Sequence, residues 1–215
     1  MQKSLLISKN CHYFSCSVNL CCAVVSRHGD RTPIFTYPND PYRNESFWPE
    51  GWGELTEAGK ERMFNLGRYL RRRYSSFLTN NSNETYIRSS EIKRCQDSAK
   101  LIATGIYSSN REMNSTYDFY VETKPEIEDD VLTVKAFCPL ADSEYNEVEK
   151  SFEFKNISER YNNLYKFLTE KSGTDIPNMY QIREMFTTLS IQQAVGYKLP
   201  AWHETSSKIK SRFFD

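Results

Sequence analysis

From Val18 to Val25 the chain is apolar at nearly every position, and the run stops at Arg27-His28-Gly29-Asp30-Arg31-Thr32-Pro33. A short, nearly continuous apolar stretch reads as a strand buried on both faces, as in a parallel sheet. Residues 18–26 are therefore expected to form a first strand with a histidine and two arginines at its carboxyl end. Neighbouring parallel strands need crossover segments, usually helices, and the chain supplies them. Thr56 is a good helix N-cap, and Met63, Leu66, Leu70 and Tyr74 recur at helical spacing, which predicts a helix from about Thr56 to Tyr74. Arg71-Arg72-Arg73 at its end complements the helix dipole, a better account than an anion patch. After a polar break at Asn80–Thr85, Thr85–Arg88 reads as a second strand. Ser89 or Ser90 is then expected to cap a helix to about Tyr107, with an apolar stripe of Ile92, Cys95, Ala99, Ile102 and Ile106. Strand, helix, strand and helix with short breaks imply an α/β core with a largely parallel sheet.

The motif itself points to phosphate chemistry. Arginine forks hold phosphate oxygens bidentately and stay charged at any relevant pH, and a neutral imidazole can be a nucleophile. Gly29 lets the backbone approach a ligand without a Cβ, and Pro33 fixes the backbone as the chain leaves the loop. Arg88 ends the second strand just before a helix N-terminus, where anions are favoured. Ligands of open α/β sheets collect at the carboxyl ends of strands, so one pocket can hold Arg27, His28, Arg31 and Arg88. Residues 33–53 carry Pro33, Pro38, Pro41, Pro49, Gly51 and Gly53, which predicts an ordered irregular loop. Its Phe47, Trp48 and Trp52 either roof the site or pin the loop to a core.

Arg27-His28-Gly29-Asp30-Arg31-Thr32-Pro33 resembles the signature of the histidine acid phosphatases. Further stretches are similar to the prostatic and lysosomal type: Tyr37–Pro41, Trp48–Thr56, Gly67–Tyr74, Tyr86–Ser90 and Leu199–Trp202. The similarity is dense over 18–107 and patchy afterwards. The resemblance implies a three-layer, phosphoglycerate-mutase-like α/β core with a largely parallel sheet flanked by helices, plus a helical cap. The expected divisions are an atypical N-terminal segment at 1–17, a core lacking its C-terminal part at 18–122, and the cap region at 123–215. It also implies a two-step hydrolysis of phosphate monoesters. His28 attacks phosphorus to form a phosphohistidine, Arg27, Arg31 and Arg88 bind the non-bridging oxygens, and water releases phosphate. No metal or cofactor is called for, because guanidiniums supply the positive charge. The family's later His-Asp pair, in which the acid protonates the leaving oxygen, has no match: the histidines are His12, His28 and His203, and His203-Glu204 lies in the wrong place. Activity is accordingly expected to be impaired. Two other readings stay open, an inositol-phosphate phosphatase and a non-catalytic secreted phosphate-binding protein.

Acidic and basic residues balance at 28 each, which argues against nucleic acid as a partner. No apolar run is long enough to span a membrane. Leu5-Leu6-Ile7 is too short for a signal-peptide core, yet glycosylation sequons start at Asn44, Asn80, Asn83, Asn114 and Asn156. Together these point to a secreted or lysosomal protein whose true N-terminus is missing or replaced before about residue 18. Cys11, Cys16, Cys21 and Cys22 with His12 lack the paired spacing of a zinc site. Cys21 and Cys22 are expected to pack as small apolar residues and Cys95 as a buried thiol. Cys138 could be half of a disulfide; in the resembling family the matching cysteine pairs far downstream, beyond Asp215. A homodimer is left open.

Overall fold

The computed structural model describes residues 3–10, 20–108, 113, 119–133 and 137–203, with the backbone alone for 3–10, 20 and 21. Cys11, His12, Cys16, Asn114 and Glu204 lie outside the described residues. Contacts divide the chain into two compact units: residues 1–31 with 54–138, and residues 32–53 with 139–215.

Unit one is a sheet with two helices. Its strands are β1 (Lys3–Asn10), β2 (Leu20–Arg27), β3 (Thr85–Ser90) and β4 (Glu122–Lys124), in spatial order β2-β1-β3-β4. β1 is antiparallel to both neighbours, whereas β3 and β4 are parallel. Three of the four strands therefore run in one direction, and the fold is α/β as expected. β1, read in the sequence only as a short apolar patch, lies between the two strands that carry the motif arginines. Its register sets Lys3 opposite Arg27, and Leu5 opposite both Val25 and Arg88.

The helices α1 (Glu57–Arg73) and α2 (Lys93–Tyr107) share one face of this sheet. Met63 and Leu70 of α1 and Ala99, Ile102 and Ile106 of α2 are buried with Ile87 and packed by Val24. The Thr56 hydroxyl caps α1 by accepting from the Gly59 amide at 3.1 Å. Arg71 bends back at the helix end and donates to the carbonyls of Leu78 and Thr79. The expected serine cap of α2 is corrected. Ser89 and Ser90 stay in β3, where pairing with Thr123 and Lys124 keeps them extended, and α2 starts after Ile92 without a side-chain cap. The helices cross at glycines. A Cβ on Gly67 would stand 2.1 Å from the Ile102 carbonyl, and one on Gly105 would stand 2.2 Å from the Phe64 carbonyl.

Unit two is helical: α3 (Pro139–Lys150), α4 (Phe152–Arg160), α5 (Asn162–Ser172) and α6 (Met179–Ala194). The irregular segment 32–53 belongs here rather than with the sheet. Tyr37, 1% exposed, is buried with Leu164, Leu168, Ile176, Met185 and Leu189. Buried Asp40 accepts from Gln192 at 2.9 and 3.0 Å, from the Thr36 hydroxyl and from the Tyr42 amide, so both carboxyl oxygens are hydrogen-bonded. Tyr42 stacks on Tyr197 at 4.3 Å, and the buried Trp48 indole donates to the Tyr42 carbonyl. Trp48 thus pins the loop; Phe47, 39% exposed, packs edge-on against Tyr42 and Tyr197. α3 and α4 bury no residue.

Candidate active site

The loop after β2 is held from two sides within unit one. The Thr56 amide donates to the Asp30 carbonyl at 3.0 Å, and Arg31 bridges Leu55 in an isolated antiparallel pair. From α2, Ser98 Oγ accepts from the Gly29 amide at 3.1 Å and donates to the Arg94 carbonyl at 2.7 Å. Gly29 also serves packing. A Cβ there would meet the Gly59 carbonyl at 2.6 Å, and a Cβ on Gly59 would meet the Asp30 carbonyl at 2.1 Å. The two glycines let the loop lie directly on the first turn of α1. Asp30 points outward to Arg62 at 3.0 Å.

These restraints orient His28, which is 9% exposed. Its Nδ1 lies 2.7 Å from the Gly29 carbonyl. A carbonyl only accepts, so Nδ1 carries the proton and Nε2 keeps its lone pair. Burial lowers the imidazole pKa from 6.5 to about 4. The Gly29 bond opposes this, and the charges of Arg94, Arg27 and Arg31 add to the lowering. A charged imidazolium is disfavoured both by lost hydration and by three like charges. Among the described residues, no carboxylate is among the groups that move it.

Of the expected site residues, the structure groups Arg27, His28 and Arg31 electrostatically and adds Arg94, which the sequence reading did not single out. The available signal was its place in the first turn of a helix that follows the Arg88 strand. Arg31 is buried and Arg27 exposed. Arg88 is buried and is not among the charges acting on His28. Through β1 its register aligns with Val25, so side chains of Arg88, Val25 and Arg27 emerge on one face of the sheet, opposite the helices. β1 alone separates β2 from β3, so their axes are about 10 Å apart. On this face Arg88 Nη2 donates to Asp129 Oδ1 at 2.5 Å. Cys95 is a buried thiol whose pKa is raised by burial, which keeps it protonated. Cys138 is exposed and forms no disulfide among the described residues. Cys22 is a partly buried thiol beside a small apolar cavity with Val24, Leu70 and Ile106. His203 lies in unit two, after α6.

A buried histidine after a strand, under the charges of three arginines, agrees with the outcome of sequence comparison. The profile of the histidine phosphatase superfamily (branch 2) matches residues 20–202. The chain belongs to this superfamily. It is 33% identical over 184 residues to the lysosomal acid phosphatase of Homo sapiens, covering 82% of this chain and 43% of that protein. The lysosomal acid phosphatase of Xenopus laevis is 32% identical over 187 residues, covering 83% and 43%. The prostatic acid phosphatase of Homo sapiens is 31% identical over 198 residues, covering 88% and 51%. The chain thus spans about half the length of the curated relatives it matches.

Proposed function

We propose that this histidine phosphatase chain hydrolyses small phosphate monoesters through a phosphohistidine. The carrying observation is His28: buried, held as one tautomer by the Gly29 carbonyl, and kept neutral down to a pH of about 4. At pH 5 an ordinary histidine is mostly protonated, while this ring retains its Nε2 lone pair. Nε2 attacks phosphorus, the bond from phosphorus to the ester oxygen breaks, and that oxygen leaves with its electron pair. Arg27, Arg31 and Arg88 hold the three non-bridging oxygens and offset the charge that develops. Water then attacks phosphorus, the N–P bond breaks back onto Nε2, and inorganic phosphate departs.

The leaving oxygen needs a proton unless it is a stable anion. Where no acid supplies that proton, the leaving group decides the rate. The chain should release phosphate from p-nitrophenyl phosphate near pH 5 and handle alkyl phosphates slower by about 10²–10⁴-fold, the usual worth of a general acid. Acid-labile phosphate on the protein that disappears in His28→Ala supports the mechanism; turnover that persists in His28→Ala defeats it. A second reading is a phosphate-binding protein without turnover. Phosphate binding with no release from p-nitrophenyl phosphate selects it. Inositol phosphates are a further substrate class to assay beside simple monoesters.

A secreted or lysosomal location fits the exposure of Asn44, Asn80, Asn83 and Asn156. The chain expressed through a secretory pathway should lose mass on treatment with an N-glycosidase, and an unchanged mass would remove this support.

A further inference from the structure

We propose that Asp129 is the positioning residue for Arg88, fixing its guanidinium so that the remaining N–H groups face the phosphate. This rests on the phosphate reading of the site. Asp129 follows β4 in a charged run, Glu126-Ile127-Glu128-Asp129-Asp130, yet it alone of these is wholly buried. Its Oδ1 accepts from Arg88 Nη2 at 2.5 Å and from the amides of Leu132 and Val131 at 3.0 and 3.3 Å. One oxygen therefore closes a turn and grips an arginine that is itself 8% exposed. A long flexible side chain becomes a fixed fork, with its ordering cost met before a ligand arrives.

Part of the fork is unpaired. Arg88 Nε is buried and makes no hydrogen bond, and neither does Asp129 Oδ2. A buried guanidinium N–H without an acceptor is costly, and a phosphate oxygen would satisfy it. Arg88 shares its sheet face with Arg27, two residues closer to the strand end. Asp129 thus touches no substrate; it acts through Arg88.

The sign of the effect separates positioning from simple charge. As a bare negative charge near the site, Asp129 would repel phosphate, and Asp129→Asn would tighten binding. As a positioning residue it strengthens binding. The substitution keeps an oxygen for the Leu132 and Val131 amides and exchanges the ion pair with Arg88 for a weaker bond to an uncharged oxygen.

The test is titration of the whole chain with inorganic phosphate by calorimetry, for wild type, Asp129→Asn, Arg88→Met and the double variant. Asp129→Asn should weaken binding about tenfold, the loss of the ion-pair part of the Arg88 bond. In the Arg88→Met background it should change nothing, since the two act as one unit. Unchanged or tighter binding in Asp129→Asn, or equal weakening in both backgrounds, overturns the inference and leaves the phosphate reading standing. A wild-type chain that binds no phosphate overturns both. Should Asp129→Asn unfold, Asp129→Ser, which retains an oxygen for the turn but withdraws from Arg88, reads the same cycle. Unfolding of both makes Asp129 a folding residue and overturns the inference.

Discussion

His28 shows how one residue's surroundings become a pH dependence. Its folded pKa of about 4 lies below the unfolded value of 6.5. Between these values the unfolded chain takes up a proton that the folded chain excludes. The stability held by the neutral ring is therefore complete above pH 6.5 and is lost as pH falls toward 4, by about 3 kcal/mol at most. Thermal melts of wild type and His28→Ala from pH 7 to 4 should show a steeper fall for wild type; parallel curves would contradict the burial argument. Arg94 is the first of the cations that lower this pKa. Arg94→Gln should raise the imidazole pKa, read from the ring resonances of His28 by NMR, and an unmoved titration would remove Arg94 from the site.

Among elements, the tightest tolerances are at the α1–α2 crossing. Gly67→Ala places a Cβ 2.1 Å from the Ile102 carbonyl, a backbone atom that yields only if the helices part. Overpacking of this kind costs about 1–3 kcal/mol and occasionally more, so a clear drop in the melting temperature is expected, and a neutral Gly67→Ala would mean the helices stand further apart. β1 makes a second constraint. It pairs on both edges along Ser4–Ser8, so every amide there has a ladder partner within reach. Leu6→Pro removes one donor from a central strand and should loosen β2 and β3 together. Hydrogen exchange at Val24 and Ile87 should speed up in that variant; unchanged protection would show that the two strands hold without β1.

At the scale of the whole molecule, there are two cores with separate contents. Ile102 and Ile106 centre the core of unit one, and Leu168 and Met185 that of unit two. Trp48, Trp52 and Trp202 all belong to unit two, so tryptophan fluorescence reports on the helical unit. Leu168→Ala removes a fully buried side chain, at a cost of about 2–5 kcal/mol. It should lower the denaturant midpoint seen by fluorescence, and an unshifted midpoint would contradict the burial of Leu168. The exposed apolar residues of α3 and α4, among them Leu140, Tyr145, Val148 and Phe152, add nothing to either core.

Local sequence was enough to place β2, the Thr56 cap, the stripe of α2 and the strand-borne Arg88, because each is written in neighbouring residues: an apolar run, a hydroxyl before a helix, a period of three and four; the burial expected on both faces of β2 is corrected, since among the described strands it is an edge strand antiparallel to β1, with Val25 55% exposed. It also determined that His28 stands among arginines, since Arg27 and Arg31 flank it in the chain. Tertiary structure decided the rest. Leu5-Leu6-Ile7 became a strand only because two strands offered open edges, and Ser89 and Ser90 stayed extended because β4 paired with them. Segment 32–53 joined the helices through Tyr37 and Asp40, whose partners lie more than a hundred residues away. Arg94 reaches His28 electrostatically and Asp129 meets Arg88 through packing, and nothing in Glu128-Asp129-Asp130 marks which carboxylate turns inward. Pairing across a sheet and burial of a charge depend on what arrives from distant parts of the chain, and a local pattern carries no record of that.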